Sequence, residues 1–133
     1  MSEENVEVIR RAYEALNRGD LDGAVEDAAQ DFEYIPSGTI PGTAAVYRGP
    51  DGLRRFLEWF WDEFADIHTE IHEFIEAGDQ VLVPQTLHGR GQQSGIETTW
   101  DVWIVWTLRG GTIVHGQGFT SREQALEAVG LRE

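Results

Sequence analysis

Asp101 and His88 are the residues whose types and positions best suit proton-transfer chemistry in this chain. Asp101 stands beside Trp100 in the aromatic segment WDVWIVW, residues 100–106. A carboxylate that faces an apolar pocket can act as a general acid or base near neutral pH, because desolvation favours its protonated form. Alternatively, Asp101 lies at the wet end of its strand, paired with Thr120 or an arginine. His88 is either the titrating partner of Asp101 or an exposed histidine beside a turn.

Nucleophilic, metal and phosphate-binding chemistry lack their usual residues here. The chain has no cysteine, which excludes disulfides, thiolate metal sites and cysteine nucleophiles. His68 and His72 are four residues apart, which on a strand separates them by about 13 Å, so we do not expect them to share a metal ion. No glycine-rich phosphate loop, nucleophile elbow or Ser-His-Asp spacing occurs. We therefore expect no metal and no cofactor.

The net charge argues against polyanionic partners. Ten lysines and arginines stand against 24 aspartates and glutamates, a net charge of −14 in 133 residues. This charge repels nucleic-acid backbones and anionic membrane surfaces, so we expect neither as a partner. No apolar run approaches the roughly 20 residues that span a bilayer, and no signal peptide opens the chain. We expect a cytoplasmic protein with a single domain over residues 1–133.

The hydrophobic pattern predicts which elements position these side chains. Ser2 can cap a first helix that ends at Gly19, and Asp20 can cap a second. Pro50 begins a third helix, and Ser121 caps a last one. Between them the alternation predicts a short strand at 31–36, a loop at 37–49, and antiparallel strands at 68–77, 80–91, 96–109 and 112–120. This order indicates an α+β fold in which helices cover one face of a curved antiparallel sheet.

The Gly110-Gly111 pair predicts a two-residue hairpin loop with Arg109 opposite Thr112. Counting back from this loop, the face toward the helices carries the pairs Val105–Gly116, Trp103–Gly118 and Asp101–Thr120. A tryptophan over a glycine can simply fill the gap in the sheet. The glycines can instead leave room for a ligand beside Trp103. Both interpretations remain open at this point.

The other face of the same ribbon is too apolar to meet water. It carries Trp100, Trp106, Ile113, His115 and Phe119. A patch of this kind usually marks a subunit interface, so we expect a homodimer through this outer face of the sheet. His115 is then an interface residue rather than a catalytic one.

The whole chain resembles the nuclear transport factor 2-like superfamily, and within it the SnoaL-like branch that includes polyketide cyclases and ketosteroid isomerases. The matching segments arrive in the family's order: AYEALNRGDLDGAV (12–25), DFEYIP (31–36), VYRGPDGLRRFL (46–57), HGRGQQSGI (88–96), VWTLRGGTIV (105–114) and SREQALEAVGL (121–131). The resemblance implies a cone in which a strongly bent sheet wraps around the N-terminal helices, encloses an apolar cavity and is commonly dimeric.

The resemblance carries over no ketosteroid isomerase site. That enzyme's general-base aspartate aligns with Tyr34, its protonated aspartic acid with Trp103, and its first-helix tyrosine with Ala12, next to Tyr13. The replaced residues line the isomerase cavity, which implies the same for Tyr34 and Trp103. Gln85 is a further polar candidate, and Trp59 an aromatic one, although a core position is commoner for such a residue. The candidate ligand-binding residues are Tyr13, Tyr34, Trp59, Gln85, Trp103, Gly116 and Gly118.

Two functions follow from these features. The first is a binding module that takes a small hydrophobic molecule into the cone and dimerises through the outer sheet face. The alternative is a cofactor-independent isomerase, cyclase or dehydratase that acts on a small hydrophobic carbonyl compound. It would use Asp101 as acid or base and Tyr34, Gln85 or His88 as hydrogen-bond donors.

Overall fold

The computed structural model describes residues 2–38 and 43–131, so the predicted loop at 37–49 lies partly outside the described residues. The helices are α1 (Ser2–Asn17), α2 (Leu21–Val25), α3 (Gly49–Glu63) and α4 (Arg122–Ala128). The strands are β1 (Ala28–Ile35), β2 (Tyr47–Arg48), β3 (Phe64–Ile71), β4 (Ile75–Ala77), β5 (Gln80–Gly91), β6 (Glu97–Arg109) and β7 (Thr112–Phe119). The short strand β2 falls inside the segment that was predicted as loop.

Three of the predicted helix boundaries are confirmed, and each depends on a local signal. Helix α3 begins at Gly49, one residue before the predicted Pro50. Gly19 adopts a left-handed φ of 82° after α1. The Asp20 side chain accepts a hydrogen bond from the Gly23 N–H at 2.9 Å and caps α2. The Ser121 hydroxyl accepts one from the Gln124 N–H at 3.2 Å and caps α4. None of the helices in the described residues is long and apolar enough to cross a bilayer.

The sheet has seven strands in the order β2-β1-β7-β6-β5-β3, with β4 also paired to β5. It is curved and does not close, and the helices α1 and α3 lie against its inner side, so the predicted α+β fold is confirmed. One pairing differs from an antiparallel sheet: β1 runs parallel to β7. Most of the chain separates these two strands, which supplies the crossover that a parallel pair requires.

The predicted register of the β6–β7 hairpin is wrong beyond its first pairs. Arg109 does lie opposite Thr112, as expected from the two-glycine loop. Val114 is then an extra residue on β7, because Leu108 pairs with Ile113 and Thr107 with His115. A bulge of this kind shifts every later pair by one residue and turns each side chain to the other face. The observed pairs are therefore Trp106–Gly116, Ile104–Gly118 and Trp103–Phe119.

The two faces of the sheet carry separate hydrophobic cores. The face toward α1 and α3, called here the concave face, holds Val102, Ile104 and Trp106 of β6 in the main core. The opposite or convex face holds Leu82 and Val105, which pack against α4 in a second, smaller core. Trp100 and Ile113, predicted for the outer face, also contribute to the main core.

Candidate functional site

An apolar cavity of about 90 Å³ lies between α1, α3 and the concave face of the sheet. Six apolar side chains from helix α3 and strand β6 form much of its wall: Leu53, Phe56, Leu57, Phe60, Val102 and Ile104. A smaller void of about 50 Å³ adjoins it and shares Tyr13 and Trp106 as wall residues. Trp61, at 36% exposure, borders the larger cavity from the end of α3.

Three buried side chains from distant parts of the chain form a hydrogen-bonded row along the cavity. Trp106 Nε1 donates to Tyr13 Oη at 3.0 Å, and Tyr13 Oη donates to Gln85 Oε1 at 2.5 Å. The indole N–H can only donate and the Gln85 carbonyl oxygen can only accept. The Tyr13 hydroxyl therefore accepts from Trp106 and donates its own proton to Gln85. The Gln85 amide nitrogen consequently points away from Tyr13.

Two polar groups at the cavity remain available to a ligand. In residues 2–38 and 43–131, neither the amide nitrogen of Gln85 nor the hydroxyl of Tyr34 has a hydrogen-bond partner, although the two side chains are only 6% and 3% exposed. Every fully enclosed polar side-chain atom of these residues has a partner. Both groups therefore reach open space, and both residues border the cavity.

The two cavity tyrosines stay protonated at neutral pH. Desolvation by burial raises the pKa of Tyr13 well above its ordinary value, against a smaller lowering by the hydrogen bond from Trp106. Burial likewise raises the pKa of Tyr34. Neutral phenols donate and accept hydrogen bonds but are not bases at this pH.

Gly116 and Gly118 make room for protein side chains rather than for a ligand. A Cβ at Gly116 would lie 2.6 Å from the Trp106 ring and 2.8 Å from the Tyr34 ring, and one at Gly118 would lie 2.9 Å from the Ser37 nitrogen. Trp106 and Tyr34 stack over this strand with ring centroids 5.6 Å apart. An aromatic residue does cover the glycines, as one interpretation held, but it is Trp106 and not Trp103.

Asn17 closes one side of the cavity, and sequence reasoning missed it. Its Nδ2 donates to the Thr69 carbonyl at 2.9 Å, and its Oδ1 accepts from the Thr69 N–H at 2.8 Å. These two hydrogen bonds connect the last residue of α1 to strand β3. The signal was absent from the sequence because Asn17 and Thr69 are distant in the chain and follow no common motif.

The remaining predicted site residues lie elsewhere. Asp101 is exposed on the convex face, where it accepts a hydrogen bond from the Thr86 hydroxyl at 2.7 Å. His88 is on the same face but donates to Glu70 at 2.8 Å, and its ring stacks on that of His68. Trp103 packs near α4 on the convex face, and Trp59 packs against Phe60 and Phe64. None of Asp101, His88, Trp103 and Trp59 borders the cavity.

The bulge at Val114 explains the errors at Asp101, Trp103 and Trp106. It turns Gly116 and Gly118 toward the side of the sheet that carries Trp106, and not toward the side that carries Trp103 and Asp101. Of the predicted ligand-binding set, Tyr13, Tyr34 and Gln85 border the cavity. Of the predicted dimer surface, Trp106 and Ile113 are buried at 9% and 3% exposure in the main core. Over the described residues, no group of three or more His, Asp or Glu side chains could hold a metal ion.

A curved sheet wrapped around helices with an apolar hollow defines the nuclear transport factor 2-like class of folds. Within this class the chain belongs to the SnoaL-like domain family, whose model matches residues 9–116. No curated protein matches the chain.

Solved structures show the same fold with different small molecules. TerC, co-crystallised with polyporic acid, is 23% identical with a TM-score of 0.78, covering 95% of this chain and 98% of its own. A protein of ketosteroid isomerase-like fold from Catenulispora acidiphila DSM 44928, in complex with trimethylamine, is 18% identical with a TM-score of 0.75, covering 94% and 93%. A nuclear transport factor 2-like protein from Burkholderia thailandensis E264 is 24% identical with a TM-score of 0.80, covering 92% and 96%. At these identities the likeness is one of fold, and fold does not determine the ligand.

Proposed function

We propose that this chain binds a small apolar molecule in the cavity of the cone. The observation that carries the proposal is a mostly apolar hollow in which two nine-tenths buried polar side chains, Gln85 and Tyr34, keep groups without a protein partner. Ligand sites are typically concave, mostly apolar and equipped with a few oriented polar groups. The arrangement at this cavity fits that description.

Binding is favoured over acid–base catalysis by the kinds of group that line the cavity. Tyr13 and Tyr34 are neutral phenols at physiological pH because burial raises the pKa of each. Asp101, the base of the enzymatic alternative, is exposed on the opposite side of the sheet. Cavity groups that donate hydrogen bonds without taking up protons support a binding role.

Filling the cavity tests this function. Ethylbenzene at ten times its Kd should stabilise the wild-type protein by about 1.4 kcal/mol, seen as a raised thermal midpoint. Val102→Phe places a phenyl ring in the cavity and should weaken ethylbenzene binding at least about tenfold by isothermal titration calorimetry. Thr99→Phe adds a phenyl ring to the exposed face of the same strand and is the matched control. Equal binding by the two variants, or no binding by the wild type, would contradict the proposal.

A homodimer through the convex face stays a prediction, but not all residues predicted for its surface lie on that face. His115 and Phe119 do, and both are half-buried. Helix α4 of the same chain packs near Phe119 and covers part of the apolar surface that a second copy was expected to cover. Light scattering of the purified chain tests the dimer directly, and a mass of 15.0 kDa, that of one chain, would contradict it.

A further inference from the structure

We propose that the molecule bound in this cavity has a single ring, carries no negative charge and presents a carbonyl oxygen to Gln85 and Tyr34. This inference rests on the binding function proposed above. It follows from three features of the cavity: its volume, the charge of the groups around it, and the direction of its hydrogen bonds.

The volume limits the ligand to one ring. A cavity of about 150 Å³ in another protein accommodates benzene. The cavity of this chain measures about 90 Å³, and the adjoining void adds about 50 Å³ beyond Tyr13 and Trp106. A ligand with one ring fits this space when the ring lies in the cavity and its substituent lies in the opening near Trp61. A second fused ring would have to displace side chains from a close-packed wall, which is costly.

The surroundings disfavour an anionic ligand. Among the described residues that border the cavity, no lysine or arginine is present to pair with an anion. His68 borders it, but its ring stacks on His88, with centroids 4.6 Å apart, on the convex side. The chain also carries a net charge of −14, so its field opposes anions. A buried anion without a partner loses its hydration at a large free-energy cost.

The hydrogen-bond row decides which polar group the ligand must carry. Trp106 and Tyr13 hold the Gln85 carbonyl oxygen, so Gln85 offers the cavity its N–H donors. The Tyr34 hydroxyl is a second donor, because it remains protonated. An oxygen acceptor that reaches both donors, such as a ketone, satisfies two buried groups that otherwise have no protein partner.

Four probes separate the three parts of the proposal. Acetophenone has one ring, no charge and a carbonyl; ethylbenzene lacks the carbonyl; benzoate is anionic at pH 7; and 2-acetonaphthone has a second ring. Calorimetric titration of the wild-type chain should give a Kd for acetophenone about tenfold lower than that for ethylbenzene. Benzoate and 2-acetonaphthone should each bind at least about tenfold more weakly than acetophenone.

Two substitutions test which side chains donate the hydrogen bonds to the ligand. Tyr34→Phe removes only the hydroxyl, and Gln85→Met keeps the length of the side chain without its N–H groups. Each should reduce the preference for acetophenone over ethylbenzene to about threefold or less. Tyr47→Phe is the matched control, because Tyr47 also contacts Phe56, at 4.9 Å between ring centroids against 4.8 Å for Tyr34, but does not border the cavity. Its preference should equal that of the wild type.

Each adverse outcome has a distinct meaning. Equal affinity for acetophenone and ethylbenzene would overturn carbonyl recognition and leave apolar binding standing. Benzoate binding as tight as that of acetophenone would overturn the exclusion of negative charge, and tighter binding of 2-acetonaphthone would overturn the limit of one ring. A preference unchanged in both Tyr34→Phe and Gln85→Met would overturn the assignment of the donors. Failure of all four probes to bind would contradict the proposed function itself, and this inference with it.

Discussion

Trp103 and Trp106 lie on one strand, three residues apart, and meet different surroundings. Trp106 is 9% exposed on the concave face, stacks with Tyr34 and donates a hydrogen bond to Tyr13 at the cavity. Trp103 is half-buried on the convex face, packed beside the second core that includes α4. The same residue type therefore borders the cavity on one side of the sheet and packs near a helix on the other.

The difference teaches that a single extra residue assigns these roles. Strand alternation places positions three apart on opposite faces, so it predicts that the two tryptophans differ but not which of them faces inward. Val114 determines which β7 residues meet them, because the bulge turns Gly116 and Gly118 to the concave side. Gly116 leaves space for the rings of Trp106 and Tyr34, and Gly118 leaves space for Ser37.

Filling the space at Gly116 should break the comparison and have the largest effect. A Cβ at this position would lie 2.6 Å from the Trp106 ring and 2.8 Å from the Tyr34 ring, so Gly116→Val would displace both rings. We expect a loss of about 3 kcal/mol in the free energy of unfolding, measured by urea denaturation, or no folded protein at all.

Gln117→Val places the same side chain on the convex face of β7 and is the matched control, which should cost far less. If Gly116→Val kept its native stability and near-ultraviolet circular dichroism, Gly116 could not be what leaves space for the rings of Trp106 and Tyr34.

Replacing each tryptophan by phenylalanine sharpens the comparison with a moderate effect. Trp106→Phe removes the indole N–H that orients Tyr13 and leaves space in the main core, so we expect a loss of about 2 kcal/mol. Trp103→Phe removes a similar volume from a half-buried position and should cost about 1 kcal/mol or less. Urea denaturation of both variants measures the difference, and a larger loss for Trp103→Phe would reverse the roles given to the two faces.

The smallest expected effect belongs to the polar residues of the convex face. A hydrogen bond from His88 holds the pKa of Glu70 below its usual value. Desolvation opposes this shift, and electrostatic interactions with His72, His88 and His68 add to the lowering. Because the pKa is lower in the folded chain than in the unfolded one, this stabilisation is complete above the unfolded-state pKa. It is lost as the pH falls through the folded-state pKa.

Carboxyl-carbon NMR titration measures this shift. The midpoint of Glu70 should lie below the ordinary value in the wild type and rise toward it in His88→Ala. His115→Ala changes a histidine on another strand of the same face and should leave the midpoint unchanged. Identical midpoints in the wild type and His88→Ala would show that the hydrogen bond at 2.8 Å does not persist in solution.

The elements that local signals define could be predicted from the sequence. Gly19, Asp20 and Ser121 mark helix ends through their own backbone preferences and side-chain oxygens, and the strand predicted at 80–91 matches β5. The bulge could not be predicted, because Val114 carries no residue preference that marks a bulge. The parallel pairing of β1 with β7 likewise depends on contacts between distant segments.

The same distinction between local signals and distant contacts applies to the predicted cavity residues. Gln85 was placed correctly on a strand whose alternation is unbroken, and Tyr13 lies on the apolar stripe of a well-marked helix. The roles proposed for Asp101 and Trp103 depended on the register beyond the bulge. Their error has one geometric cause.

The double hydrogen bond from Asn17 has a consequence for the behaviour of the chain among its neighbours. In residues 2–38 and 43–131, strand β3 ends the path of the sheet, so the backbone groups on its outer side have no further strand to pair with. Asn17 occupies the N–H and C=O of Thr69 much as a peptide would. It thereby blocks part of an edge strand that could otherwise pair with another chain and start aggregation.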